Sequence, residues 1–332
     1  MFKLENYAIR VQVGKFMTEH SNQTSIVGLD WGTTHRRAYA VDAYGVCTQE
    51  LCDDDGALAS KGRFAQTLQS ALDSLGVQPG LVVMSGMVGS ALGWHEVPYV
   101  GGNVALQDLA AHALLVPDAP AGAPCLILPG YCLRNAAGLP DVMRGEETQL
   151  LGAWALGHTD GWFVLPGTHS KWVELRAGRV VQLRTYMTGE LFDLLGQHGT
   201  LAAAAASASS VWDDAAFAEG VRAAGSHALS HQLFGCRARV VSKDMPAASS
   251  RSYLSGLLIG TELKDVLQGS AAPMSQIESN GGQAHFKLLG SPQLAALYQT
   301  AAGYLGLQFD ILDAKQAFVA AVHHIQATWK TP

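Results

Sequence analysis

The sequence predicts an α/β fold made of two similar half-domains that face a common cleft. Short apolar, β-rich runs alternate with longer helical patterns along the chain. A strand, a Gly-Thr turn and a second strand bearing a cation occur twice, at Gly32-Thr33-Thr34-His35-Arg36-Arg37-Ala38 and at Gly167-Thr168-His169-Ser170-Lys171-Trp172-Val173. Gly supplies 36 of 332 residues and charged side chains only 15%, against about 7% and about 25% in average soluble domains. Such a composition suits tightly turned sheets with buried faces.

In the first half, strands are expected at 25–30, 37–42 and 46–51, the last two joined through Asp42-Ala43-Tyr44-Gly45. A helix follows at 62–75, then strands at 81–84 and 125–128 on either side of a Gly-rich loop. A helix at 146–156 leads to the second half, with strands at 162–165, 171–175 and 180–185 and a hairpin at Arg176-Ala177-Gly178. Helices at 189–198, 215–233, 250–267, 292–302 and 314–329 and strands at 286–289 and 308–312 complete the pattern. The Ala/Ser tract 201–210 reads as a weak helix or connector, and the Gly/Ser-rich 269–283 as a surface loop.

Several functions are disfavoured at once. The net charge is −6 with no Lys/Arg block, so an electrostatic footprint for nucleic acid is not expected. No uncharged apolar run reaches the roughly 18 residues of a spanning helix, and the first 25 residues lack a secretory pattern, so no membrane partner is expected. The five cysteines are odd in number and form no Cys-x-x-Cys pair, as expected of reduced thiols in a cytoplasmic protein. The P-loop and the Gly-x-Ser-x-Gly elbow are both missing.

The two Gly-Thr turns point to phosphate. Gly lets the backbone approach a ligand closely, and the amides and hydroxyls that follow suit an anion. Asp30, at the end of the first strand, cannot bind phosphate itself but can hold a hydrated Mg²⁺ that does. Arg37, seven residues on, supplies a cation. One copy alone would read as a hairpin capped by Asp and Thr; two copies favour a phosphate clamp.

The stretch Leu29-Asp30-Trp31-Gly32-Thr33-Thr34-His35-Arg36-Arg37-Ala38 resembles the first phosphate motif of the sugar kinase/hsp70/actin superfamily. Gly145-Glu146-Glu147-Thr148-Gln149-Leu150-Leu151-Gly152 resembles that superfamily's linker helix, Pro166-Gly167-Thr168-His169 its second phosphate loop, and Leu288-Leu289-Gly290-Ser291-Pro292 its adenosine motif. Within it, the runs Met84-Ser85-Gly86-Met87-Val88-Gly89-Ser90, Val142-Met143-Arg144-Gly145-Glu146-Glu147 and Met187-Thr188-Gly189-Glu190-Leu191 are similar to the 2-dehydro-3-deoxygalactonokinase family. The resemblance covers nearly the whole chain after residue 24; the extension 1–24 departs from it.

The resemblance implies two actin-like, ribonuclease H-like domains, 25–145 and 158–332, flanking an ATP and substrate cleft. The linker helix would span 146–157, and the last helix would pack back at the hinge. It also implies ATP and Mg²⁺ as cofactors and a small sugar acid as partner, with a homodimer left open. Glu146 would be the general base, and Asp30, acting through water, the Mg²⁺ anchor. Gly32, Thr33, Thr34, Arg37, Gly167, Thr168 and His169 would line the phosphates, with Gly290 and Ser291 against the adenosine. Ser85, Gly86, Met87 and Trp94 would contact the substrate, and Arg144 would meet its carboxylate, with Arg184 second. Helix capping explains Glu146 and Glu147 equally, so Glu147 stays a competitor for the base. The expected reaction is phosphorylation of the 6-hydroxyl of 2-dehydro-3-deoxy-D-galactonate. An actin-like-fold phosphohydrolase, a kinase for another sugar acid and a non-catalytic sensor are the alternatives.

Overall fold

The computed structural model describes residues 26–120, 122–205, 212–268 and 285–330. The extension 1–24, the second half of the tract 201–210 and the loop 269–283 lie outside the described residues.

The first sheet holds β1 (Ile26–Trp31), β2 (Arg36–Val41), β3 (Cys47–Asp53), β4 (Leu81–Gly86), β5 (Leu114–Leu115) and β6 (Cys125–Ile127) in the order β3-β2-β1-β4-β6-β5. A small hairpin, β7 (Tyr131–Arg134) and β8 (Pro140–Met143), follows. The second sheet holds β9 (Gly161–Leu165), β10 (Ser170–Arg176), β11 (Arg179–Tyr186), β12 (His285–Gly290) and β13 (Gln308–Asp313) in the order β11-β10-β9-β12-β13. In both sheets an antiparallel trio adjoins two parallel strands. The repeated Gly-Thr turn therefore belongs to a repeated sheet: the first strand of each trio ends at its own copy.

The helices are α1 (Phe64–Leu75), α2 (Glu146–Ala155), α3 (Thr188–Gln197), α4 (Gly199–Ala205), α5 (Asp214–Ala223), α6 (Leu229–Val241), α7 (Ser250–Gln268), α8 (Pro292–Gly303) and α9 (Ala314–Thr328). The single helix expected at 215–233 is two. The chain breaks between α5 and α6 at Gly225, whose φ of +73° leaves the helical region.

Apolar burial sets the layers. Phe64, Leu68 and Leu72 of α1 cover one face of the first sheet through Val27, Leu29 and Val82. Phe217, Ile259, Leu263 and Tyr298 cover the outer face of the second through Val164, Trp172 and Leu288. Between the sheets lies a shared core of Ile26, Val83, Leu150, Phe163, Val173, Phe318 and Val322, so α2 and α9 form the middle layer. The α2–α9 crossing depends on Gly152, where a Cβ would stand 1.5 Å from the Ala317 carbonyl oxygen. Among the described residues no helix is long and apolar enough to cross a membrane.

Candidate active site

A cavity of about 1210 Å³ opens where the carboxyl ends of β1, β4, β9, β12 and β13 meet the start of α2. In such sheets the crevice beyond the strand ends is the natural ligand site.

Asp30 and Arg37 are cross-strand neighbours on β1 and β2, with Arg37 Nη1 3.3 Å from Asp30 Oδ2. Strand alternation sends Arg36 the other way, buried, donating to the Thr67 carbonyl at 2.8 Å and to Asp53 Oδ2 at 2.6 Å. The amides of Gly56, Ala57 and Leu58 donate to the carbonyls of Thr34, Gly32 and Thr33 and prop the turn from behind. Gly32 and Thr33 then line the cavity, while Thr34 does not. Burial holds the Asp30 carboxyl above its ordinary range; Arg37 opposes the shift and Glu146 adds to it.

Two glycines bring Glu146 to this place. Gly86 (φ +89°) and Gly145 (φ +111°) lie against each other, and a Cβ on Gly145 would sit 3.2 Å from Gly86 Cα. Glu146 Oε2 accepts the Arg144 amide at 3.0 Å, and Oε1 lies 3.5 Å from Lys171 Nζ. The next side chain turns into the core. Glu147 is wholly buried and accepts the Gly145 amide at 2.7 Å and the Thr148 hydroxyl at 3.3 Å. Burial, reinforced by the Glu146 charge, pushes the Glu147 carboxyl up to about 8. Of the two acids only Glu146 lines the cavity.

Gly167, Thr168 and His169 form the opposite wall. His169 Nε2 pairs with Glu190 Oε2 at 2.5 Å, and Gly189 nests beneath Gly167, where a Cβ would fall 2.3 Å from its carbonyl oxygen. Behind them the buried carboxylate of Glu262 accepts from Ser170 Oγ (2.7 Å), Trp172 Nε1 (2.6 Å), the Tyr298 hydroxyl (2.8 Å) and Thr188 Oγ1. Burial raises the Glu262 carboxyl and the donors pull against it. One side chain of α7 thus ties together β10, the start of α3 and α8. Gly290 packs on Pro166, and Ser291 caps α8 by accepting the Leu294 amide at 3.3 Å, with Pro292 in the first turn.

Gly86 and Met87 reach the cavity wall, but Ser85 is buried behind it and Trp94 stands elsewhere. The Trp94 ring stacks on Phe64, centroids 6.2 Å apart, and its indole N–H faces Asp118 Oδ2 at 3.4 Å. Tyr99 lines the cavity instead, with the Arg144 guanidinium 4.2 Å over its ring. Arg144 Nη2 donates to the Val97 carbonyl at 2.7 Å, while its Nε and Nη1 are buried without a protein partner. Arg184 pairs opposite Trp172 on β11 and does not line the cavity.

Apart from Thr34, Ser85 and Trp94, and the second choices Arg184 and Glu147, every residue expected at the site lines this one cavity. Sequence reasoning gave no role to Tyr99, Gln149 or Asp313 and left the direction of Lys171 open; all four line it. Asp313 carried a usable signal, since it caps α9 by accepting the Gln316 amide at 2.9 Å, much as Ser291 caps α8. Among the described residues no three His, Cys, Asp or Glu side chains gather into a metal cage. The Asp30 carboxylate beside the Gly32-Thr33 turn still fits Mg²⁺, which keeps its waters and takes few protein ligands.

A duplicated sheet closing on two Gly-Thr turns, with an acid at the first strand end and another opening the middle helix, defines a sugar-kinase type of actin-like fold. The family model for 2-keto-3-deoxy-galactonokinase matches residues 30–325, and the chain belongs to that family. It is 32% identical over 301 residues to the 2-dehydro-3-deoxygalactonokinase of Escherichia coli strain K12, covering 90% of this chain and 96% of that one. It is 37% identical over 300 residues to a protein of Rhizobium meliloti strain 1021 provisionally given the same name, covering 89% and 94%. A crystal structure from Sinorhizobium meliloti, also provisionally assigned as a 2-dehydro-3-deoxygalactonokinase, superposes with a TM-score of 0.80 at 35% identity, covering 92% of this chain and 100% of that one.

Proposed function

We propose that this chain transfers the γ-phosphoryl group of ATP to the 6-hydroxyl of 2-dehydro-3-deoxy-D-galactonate. The observation that carries the reading is the position of Glu146, in one cavity with Asp30 and with both Gly-Thr turns. Phosphoryl transfer asks the protein chiefly for alignment and charge neutralisation. The turns at Gly32-Thr33 and Gly167-Thr168-His169 cradle phosphate oxygens, Arg37 neutralises them, and Gly290 and Ser291 face the adenosine. Asp30 would hold Mg²⁺, whose charge offsets that of the phosphates when it is bound. Glu146 accepts the proton of the attacking hydroxyl as its oxygen bonds to phosphorus and ADP departs with the electron pair.

Arg144 meets the substrate carboxylate. Its place in the cavity wall next to Glu146 supports that role, since a planar guanidinium matches a carboxylate with two parallel donors. Residues 25–145 and 158–332 act as lobes joined by 146–157, and the cytoplasm, where ATP is at hand, is the proposed compartment. The 6-phosphate is then a substrate for aldol cleavage.

A coupled ADP-release assay with Mg²⁺-ATP and a panel of C6 sugar acids tests the reading. ADP should form only when the sugar acid is present, and Glu146→Gln should lower kcat by about 10²–10⁴. Release of ADP without sugar acid, or an unimpaired variant, would overturn it.

A further inference from the structure

We infer that Lys171 is a second cation of the phosphoryl-transfer centre, one that holds the Glu146 carboxylate before transfer and the moving phosphoryl group during it. The inference rests on the kinase reading above. Its starting point is the direction of one side chain. On β10, Ser170 and Trp172 both reach back to Glu262, so the residue between them must point to the opposite face of the sheet. That face is the cleft. Lys171 is 5% exposed, and its Nζ lies 3.5 Å from Glu146 Oε1 and 3.3 Å from the His169 carbonyl oxygen.

This setting is unusual for a lysine that only braces a fold. Burying an ammonium costs several kcal/mol unless close partners compensate. A well-made ammonium–carboxylate hydrogen bond runs to about 2.7–2.9 Å, and neither contact of Lys171 is that short. Arg37, the other cation of the phosphate walls, has a side chain 53% exposed to solvent. Lys171 is therefore the cation screened from water, where a charge acts most strongly on a developing one. It also stands between the second Gly-Thr turn and the proposed base.

The step balances without a proton on the lysine changing hands. The sugar oxygen forms its bond to phosphorus, the phosphorus–oxygen bond to ADP breaks, and the hydroxyl proton passes to Glu146. Glu146 is then neutral and its claim on the ammonium falls. The cation is released toward the phosphoryl oxygens at the moment they need it. Lys171 stays protonated throughout.

The test is a kinetic cycle on the full chain with Mg²⁺-ATP and the sugar acid. Lys171→Met should cut kcat by 100-fold or more and leave KM for the sugar acid within threefold, because the contact is made to the reacting group. Lys171→Arg should recover at least tenfold of that loss. The double variant Glu146→Gln/Lys171→Met should fall at least tenfold below Glu146→Gln alone, since Gln leaves the ammonium free to meet the phosphoryl group and Met removes it, while the two losses should not multiply in full because the side chains touch. It removes both charges together, so it carries the test if Lys171→Met does not fold. A kcat for Lys171→Met within threefold of the wild type overturns the inference alone, as does a double variant within threefold of Glu146→Gln. Wild-type protein that phosphorylates no C6 sugar acid overturns the kinase reading beneath it.

Discussion

At Glu146 and Glu147 two neighbouring carboxyls meet opposite surroundings within a third of a helical turn. One faces the cavity and Lys171; the other is enclosed with only the Gly145 amide and the Thr148 hydroxyl for company. The enclosed acid has a consequence for stability. Its carboxyl titrates near 4.5 when unfolded and about 8 when folded, so between those values the folded chain keeps a proton that the unfolded chain has lost. Stability from this group is complete below pH 4.5 and drains away as pH climbs to 8, by on the order of 5 kcal/mol. Glu147→Gln, neutral at every pH, should flatten that slope and exceed the wild type at pH 8 in urea unfolding. A wild type as flat as the variant would dispose of the argument. The sequence could not separate the two acids, because both sit in the first turn and serve the helix dipole equally. What separates them is the contact of Gly145 with Gly86, residues far apart in the chain.

Elements were legible where one face is wet and the other dry, and obscure where both are covered. Residues 170–175 of β10 are buried throughout, so alternation said nothing of where Lys171 points. Trp94 after a Gly-rich loop could equally be a wall or a core side chain, and Phe64 on α1 decides for the core. The β7–β8 hairpin has short strands and was not expected. Its Asp141 side chain accepts the amide and hydroxyl of Thr185, at 2.8 and 2.6 Å, and so joins it to the second sheet. The start of α2 is the element whose placement matters most for chemistry. Gly145→Ala would strain a φ of +111° and push on Gly86, at a cost of about 1–3 kcal/mol. Since a displacement near 1 Å can cost about 100-fold in rate, kcat should fall at least tenfold while Tm drops by only a few degrees. Equal activity with lowered Tm would show that Glu146 does not depend on this turn.

For the molecule as a whole, the duplication was readable because each sheet repeats a Gly-Thr turn at the same point in its strand order. The middle layer was expected only from the resemblance, because it unites distant parts of the chain: Phe318 and Val322 of α9 press on Gly28 of β1, the first strand described. That closure has a meaning for how the protein is made. The ribosome delivers β1 first and α9 last, and domains tend to fold as they emerge. Here the part of the first sheet's inner face that α9 covers is closed only after both sheets have been made. A chain that stops before α9 should therefore expose that apolar face and be open to proteases. A chain ending at Asp313 should be cleaved rapidly by a nonspecific protease and bind a hydrophobic dye, whereas resistance equal to that of the full chain would contradict this. The helix farthest along the sequence from β1 is thus also the one that seals β1's inner face.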